Sequence, residues 1–342
     1  MSGVPGAVGA AVGPLASDPL ILFYTNFFRS PVTIDGADHG ARGRFTTDRR
    51  RIAEADAVVF HIPNLREMGD ARKYPGQQWV VWSFESWENH PAIADPAFMK
   101  HFDLTMTYET AADVWVPYLP SHSWWLETMN AVVPPKTSEA PLVLFQSSSI
   151  NASGREQFVQ ELARHMATDS YGRFMNNRRV EGPDRGVATK LAVIGAYPFC
   201  LGLENSIVPD YVTEKMFDPM RAGSVPVYFG APNAAEFVPE HSYIDASAYG
   251  GARGLADYLR HLIETPEEYQ AYFAWRRKPL PERLVARLAE SETHWLRRLV
   301  DIVATRMEER GPRPKGKPSL PFGAASFIRT RVRRLRRTGR LY

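Results

Sequence analysis

The chain has 342 residues, 44% hydrophobic and 23% charged, with a formal net charge of +3. That length is enough for two domains with separate cores, and the balance is that of a globular protein rather than a disordered or fibrous one. No stretch reaches the run of about eighteen apolar residues that a membrane-spanning helix needs.

Residues Met1 to Pro14 are rich in Gly and Ala and lack a basic segment ahead of an apolar one, so a disordered leader over 1–18 is expected rather than a signal peptide. Short apolar runs follow at Leu20–Tyr24, Ala57–Ile62, Gln78–Trp82 and Leu104–Tyr108. Helical or loop stretches separate them, a pattern that predicts a parallel sheet in an α/β domain over 19–133. The Pro-rich segment from Val133 to Ser138 breaks the pattern, and 134–140 is expected to be a linker. The second half restarts with a strand at Pro141–Phe145, then the turn Ser147-Ser148-Ser149. A helix at Arg155–Met166 follows, with Phe158, Leu162 and Met166 on one stripe. Strand Phe199–Leu203, helix Val212–Arg221 and strand Val225–Phe229 predict a βαβ unit within a second α/β domain over 141–280. Two such halves imply a ligand cleft between them. One long helix is expected over Pro281–Arg310, then a flexible break at Gly311–Pro321.

From Gly311 to the end there are ten basic residues and no acid, so the rest of the chain is acidic. That asymmetry argues against a nucleic-acid enzyme and gives the tail over 311–342 its own electrostatic role. Within it Ile328, Val332 and Leu335 fall on one helical face with arginines around them. Such a face suits docking on an anionic membrane surface, and a solvated charge run is the other reading. Nucleic-acid binding is a weaker third, since few aromatic residues are there to stack on bases. Cys200 is the one cysteine, so no internal disulfide forms; its apolar neighbours predict a buried structural thiol. Arginine far outnumbers lysine, which hints at a GC-rich, bacterial genome.

Residues 197–233 carry the chemistry. Glu204-Asn205-Ser206 closes an apolar strand at the end that faces the ligand crevice in α/β domains. Tyr211-Val212-Thr213-Glu214-Lys215 opens the next helix, where free N–H groups and the dipole attract phosphate and Lys215 adds a point charge. Taken alone, each residue reads better as part of a capped helix start with an ion pair.

Together, Leu203-Glu204-Asn205-Ser206, Tyr211-Val212-Thr213-Glu214-Lys215 and Gly223-Ser224-Val225-Pro226-Val227-Tyr228 closely resemble the donor-site signature of the α1,3/4-fucosyltransferases, glycosyltransferase family 10. Ser147 to Leu162, Tyr171-Gly172-Arg173-Phe174, Trp82-Ser83-Phe84-Glu85-Ser86, Phe102 to Tyr108 and Asp113 to Tyr118 extend the likeness over about 20–280. The resemblance implies a GT-B fold, two Rossmann-like domains facing a cleft with C-terminal helices. The first would bind the acceptor and the second GDP-fucose. It further implies an inverting transfer of L-fucose from GDP-β-L-fucose to a glycan hydroxyl, α1,3 to GlcNAc or Glc of an N-acetyllactosamine-like oligosaccharide, lipid-linked in one reading.

On that resemblance Glu85 is the catalytic base, with Glu88 in reserve. Arg155 and Lys215 neutralise the diphosphate, Asn205 and Tyr211 position the nucleotide, and Glu214 accepts bonds from ribose or fucose hydroxyls. Glu204 is structural or lines the site, and Ser206 and Thr213 are further candidates. No Asp-x-Asp pair and no Cys/His cluster of zinc spacing occurs, so no metal or other cofactor is expected. Pro198 stands where many animal relatives have Lys, with Lys190 a distant substitute, and Pro219 stands inside a helix where Ala is common. The expected protein is a soluble, bacterial-type member, cytoplasmic and peripheral to the inner membrane if the tail docks. The alternatives are a GT-B transferase of another nucleotide sugar and an inactive member that only binds GDP or glycan. The loops Arg29–Phe45 and Ser121–Asn130, with Trp124 and Trp125, carry no readable signal.

Overall fold

The structure is a computed structural model, and it describes residues 18–28, 30–34 and 40–322. The expected leader (up to Ser17) and the tail helix with Ile328, Val332 and Leu335 lie outside the described residues. In chain order the first elements are β1 (Leu20–Phe23), β2 (Arg44–Thr46), β3 (Ala57–His61), β4 (Gln78–Ser83), α1 (Pro96–Met99), β5 (Leu104–Thr107), β6 (Val114–Trp115) and α2 (His122–Asn130). Then come β7 (Leu142–Leu144), α3 (Arg155–Leu162), β8 (Thr168–Ser170), α4 (Val187–Gly195), β9 (Phe199–Leu203), α5 (Glu214–Ala222) and β10 (Val225–Phe229). The chain continues with β11 (Ile244–Asp245), α6 (Ala252–Glu264), α7 (Pro266–Ala271), α8 (Glu282–Glu292) and α9 (Trp295–Arg310).

The strands form two sheets, in the orders β2-β1-β3-β4-β5-β6 and β11-β10-β9-β7-β8. The pairings are parallel, with Ile21 opposite Ala57, Ala57 opposite Gln78, and Val225 opposite Phe199. Parallel sheets are covered on both faces, which is why their strands read as unbroken apolar runs. This is the expected α/β architecture.

Within the described residues the chain divides into two compact units, 18–82 with 101–104 and 294–322, and 83–100 with 105–293. In the first unit an aromatic core fills the sheet: Phe23 meets Trp82 edge-on at 5.8 Å and Trp82 stacks on Trp295 at 5.7 Å. Helix α9 closes this unit, burying Leu299, Val300 and Val303 and accepting a bond from Gln78 Nε2 at the Val303 carbonyl.

In the second unit Phe199, Leu201 and Leu203 of β9 share a core with Val159 and Leu162 of α3 and Leu255 and Leu259 of α6. Cys200 points to the opposite face, toward Ile194 and Tyr197, as strand alternation requires. Its burial pushes the thiol up to about 12, in keeping with an inert structural role.

Two expectations are corrected. The helix expected over Pro281–Arg310 is two helices, α8 and α9, because Thr293 is extended and the His294 side chain caps α9 by accepting from Leu296 N. The expected flexible break is instead a strap on the first unit as far as Phe322. Arg313 donates to the Pro75, Ala53 and Glu54 carbonyls, Ser319 N donates to Lys73 O, and Phe322 N donates to Ala71 O. Pro and Lys in such a segment suppress helix and sheet but leave its remaining donors free to bind a neighbouring backbone.

Candidate active site

The site residues are built around the C-terminal end of β9 in the second unit. Glu204 follows β9 directly and is fully buried. Its carboxylate accepts from Thr213 N at 2.8 Å and Thr213 Oγ1 at 2.9 Å, and Lys215 Nζ lies at 3.2 Å. Burial pushes the Glu204 carboxyl up, opposed by Lys215. Burial would pull the Lys215 ammonium down, but Glu204 and Glu214 together outweigh it, so Lys215 stays charged. Thr213 caps α5 by accepting from Lys215 N, and its hydroxyl also takes a bond from Lys215 Nζ at 2.9 Å. Glu214 is the exposed member: burial raises its carboxyl, and Lys215 outweighs that and holds it below the usual range. Lys190 ends on Asp218 at 2.7 Å.

Two glycines let these groups approach. A Cβ on Gly202 would come 2.4 Å from the Lys215 carbonyl, and one on Gly230 would come 2.6 Å from Glu204 Cγ. Helix α5 runs unbroken through Pro219. A proline cannot donate to the carbonyl four residues before it, here that of Lys215, and this is the carbonyl packed on Gly202.

Arg155 begins α3, but its guanidinium is only 2% exposed. It donates to the carbonyls of Leu203 at 2.9 Å, Ile150 at 3.0 Å and Ser148 at 3.3 Å. It therefore pins the 148–150 loop to the end of β9. Ser153 strengthens the junction, with Oγ to Glu204 O at 2.6 Å and its N–H to Asn205 O. The Gly172 of Tyr171-Gly172-Arg173-Phe174 is required because a Cβ there would overlap the Gln146 carbonyl.

The segment after β4 joins the same cluster. Glu85 Oε2 accepts from Tyr211 Oη at 3.2 Å and from Asn89 Nδ2 at 3.3 Å. Asn89 Nδ2 also reaches Asn205 Oδ1 at 2.9 Å, and Ser206 Oγ donates to Glu88 Oε2 at 2.8 Å. Burial, with Glu85 next, pushes the Tyr211 phenol far above its usual range, so it remains a donor. Tyr211 is wedged against Tyr108 at 4.9 Å and Tyr118 at 6.1 Å, and Tyr118 donates to Phe84 O. Its backbone is set by Asp210, a non-glycine at φ +65°. That carboxylate accepts from Thr110 N, Thr110 Oγ1 and Asn233 Nδ2, each at 2.8 Å.

All ten residues singled out in the sequence thus lie in the second unit, in three linked groups: Glu204, Thr213, Glu214 and Lys215; Glu85, Glu88, Asn205, Ser206 and Tyr211; and Arg155 beneath the loop. Sequence reasoning gave no role to Asp210, Tyr118 and Ser153, and took Asn89 only as the amide beside Glu88 in Glu85-Ser86-Trp87-Glu88-Asn89, a Glu-Asn pair. Among the described residues no group of three or more His, Cys, Asp or Glu is arranged to hold a metal ion.

Residues 16–119 match the family described as fucosyltransferase, N-terminal, and 134–307 match the C-terminal region of glycosyltransferase family 10 (fucosyltransferase). The chain is 30% identical over 299 residues to the 4-galactosyl-N-acetylglucosaminide 3-alpha-L-fucosyltransferase FUT6 of Pan troglodytes, covering 82% of this chain and 79% of that one. It is 30% identical over 298 residues to the 3-galactosyl-N-acetylglucosaminide 4-alpha-L-fucosyltransferase FUT3 of Pongo pygmaeus, covering 81% and 75%. A crystal structure of an alpha1,3-fucosyltransferase with GDP superposes with a TM-score of 0.55 at 14% identity, over 85% of this chain and 93% of that one. The same description with GDP-fucose gives 0.54, over 85% and 94%. That likeness makes the fold GT-B, and the sequence matches settle the family: the chain belongs to glycosyltransferase family 10, the fucosyltransferases.

Proposed function

We propose that the protein transfers L-fucose from GDP-β-L-fucose to a glycan hydroxyl with inversion, α1,3 to GlcNAc or Glc of an N-acetyllactosamine-like acceptor. The observation that carries this reading is the junction of Glu85 with Tyr211 and, through Asn89, with Asn205 of the donor signature. Glu85 takes the proton of the acceptor hydroxyl as its oxygen attacks C1. The C1–O bond to GDP breaks on the opposite side, and its electron pair leaves on the diphosphate. Lys215, still 23% exposed, meets that charge at the start of α5. Arg155 acts from below, shaping the 148–150 loop and adding its fixed charge. Glu214 bonds ribose or fucose hydroxyls. Cationic side chains in place of an Asp-x-Asp pair make the reaction metal-independent.

Residues 19–133 supply acceptor recognition, 134–140 the linker, and 141–280 donor binding. The likeness to fucosyltransferases of galactosyl-N-acetylglucosaminides supports the acceptor class, and the likeness to an alpha1,3-fucosyltransferase crystallised with GDP and with GDP-fucose supports the donor. We read the chain as a soluble, bacterial-type member whose basic tail contacts an anionic inner-membrane surface. In the first unit Lys73, Arg306, Arg310 and Lys317, with Asp103 their one acidic neighbour, border a hollow of about 550 Å³. Phe322 of the same unit donates to the Ala71 carbonyl, and seven arginines follow it in the sequence.

The test is GDP release from GDP-fucose with N-acetyllactosamine, lactose or no acceptor, with and without chelator. Acceptor-dependent, chelator-resistant turnover is expected, and kcat should fall about a thousandfold in Glu85→Ala. GDP binding without turnover on any acceptor would mean an inactive binder. Turnover of another nucleotide sugar in preference to GDP-fucose would overturn the donor assignment.

A further inference from the structure

We infer that Asn89 is a positioning residue for the base, and that through Asn205 it ties the orientation of Glu85 to the donor-binding segment. The inference rests on the reading of Glu85 as base.

The geometry is specific. Asn89 lies four residues after Glu85, in a turn closed by Asn89 N on Ser86 O and Ser86 Oγ. Its side chain is 3% exposed and its Nδ2 is shared between Asn205 Oδ1 at 2.9 Å and Glu85 Oε2 at 3.3 Å. A carboxylate only accepts, so the amide must turn its NH2 toward Glu85. Its own Oδ1 is then left buried without a partner among the described residues. The amide is oriented by its NH2, which serves the Glu85 carboxylate and the Asn205 carbonyl oxygen at once.

Both donors to the base fall on one oxygen. Tyr211 Oη and Asn89 Nδ2 hold Oε2, and Oε1 has no hydrogen-bond partner among the described residues. The carboxylate is therefore fixed in rotation with Oε1 turned away from its two donors, the oxygen left to receive the acceptor proton. Both donors also belong to the donor segment's own framework. Tyr211 is part of the signature, and Asn89 is bonded to Asn205 within it. Displacing Asn205 would disturb the amide and with it the base, so donor placement and proton abstraction share a chain of two hydrogen bonds.

The test compares Asn89→Ala, the isosteric Asn89→Asp and Asn205→Ala with wild type. The readouts are kcat, KM for each substrate, GDP affinity and the pH–rate profile. Asn89→Ala should lower kcat about 10- to 100-fold, within the range for a misplaced catalytic group, with GDP affinity unchanged within twofold. The acid limb should move to higher pH, because the ionised base loses a donor. In Asn89→Asp it should move further, because a second carboxylate faces Glu85. Glu88 faces the same turn, engaged by Ser206, and Tyr108, Tyr118 and Tyr211 around Glu85 are all raised by burial and stay neutral over this range. Asn205→Ala should shift the limb as well as KM for GDP-fucose, and the double variant Asn89→Ala/Asn205→Ala should be little worse than the poorer single one.

A limb unmoved in both Asn89 variants, or a loss confined to GDP affinity, would overturn the inference. If Asn89→Ala unfolds, Asn89→Asp carries the test alone. Glu85→Ala separates the two levels. Wild-type turnover there removes the base assignment itself, whereas a dead Glu85→Ala beside unperturbed Asn89 variants removes only the role of Asn89.

Discussion

Arg155 offers the sharpest test of how charge is used beside the donor segment. In Arg155→Met the stem stays and the guanidinium goes, leaving the Leu203, Ile150 and Ser148 carbonyls without their donor. A hydrogen bond from a charged donor contributes about 1.5–3 kcal/mol after its exchange with water, so three would give about 4.5–9 kcal/mol if they added. They share one guanidinium, which burial holds below its usual range, so the lower end, about 4 kcal/mol, is the expected loss. At roughly 2–4 °C per kcal/mol for a unit of this size, the thermal midpoint should drop by about 10 °C. Thermal unfolding by circular dichroism gives the midpoint, and calorimetry well below it gives GDP affinity. That affinity should weaken only about three- to tenfold, through the loosened loop. A midpoint within about 2 °C of wild type together with a GDP affinity more than about a hundredfold weaker would refute the clamp and place the guanidinium on the diphosphate.

Gly202→Ala sets a Cβ 2.4 Å from the Lys215 carbonyl, so the start of α5 must shift, and stability and GDP affinity should fall together by about 1–3 kcal/mol each; an affinity equal to wild type would mean α5 yields without moving Lys215. His61 is fully buried, and burial lowers it to about 4, with Asn64 opposing. The unfolded state therefore binds more protons between about pH 6.5 and 4, so stability is complete above that window and lost as pH falls through it, by about 3 kcal/mol. His61→Gln should flatten the dependence of the thermal midpoint on pH between 7 and 5, and an unchanged slope would assign the acid sensitivity elsewhere. Cys200 should resist maleimide labelling in the native state and react fully in denaturant; fast native labelling would show that β9 is accessible.

The strands of the signature were legible because a parallel strand covered on both faces leaves an uninterrupted apolar run. Phe199–Leu203 and Val225–Phe229 fall where the run begins and ends. Helix α2 was not, although Trp125 is completely buried. Its two adjacent tryptophans both pack edge-on against Phe217, so its apolar contacts fall on consecutive residues and no single stripe repeats. The strap after α9 reads as flexible by composition, yet its partners are carbonyls of the 53–75 region, which no local pattern announces. The same limit governs the site. The family resemblance named Glu85, Asn205 and Lys215, but the bonds joining Asn89 to Asn205 and Glu85 to Tyr211 span 116 and 126 residues of chain. Only folding brings Asn89 between them.

Gly202 and Pro219 lie in different elements and look like separate quirks, yet they meet at one atom, the Lys215 carbonyl. The effects of substituting them are therefore expected to be coupled. Pro219→Ala would restore a helical donor to that carbonyl and draw it back along the axis of α5, relaxing the demand for glycine at 202. In the present background the demand stands. Gly202→Ala alone should cost more than the same change made in a Pro219→Ala background, and thermal midpoints of the two singles and the double measure the coupling. The carbonyl of Lys215 is thus framed by two residues, Gly202 and Pro219, whose substitutions are expected to act together.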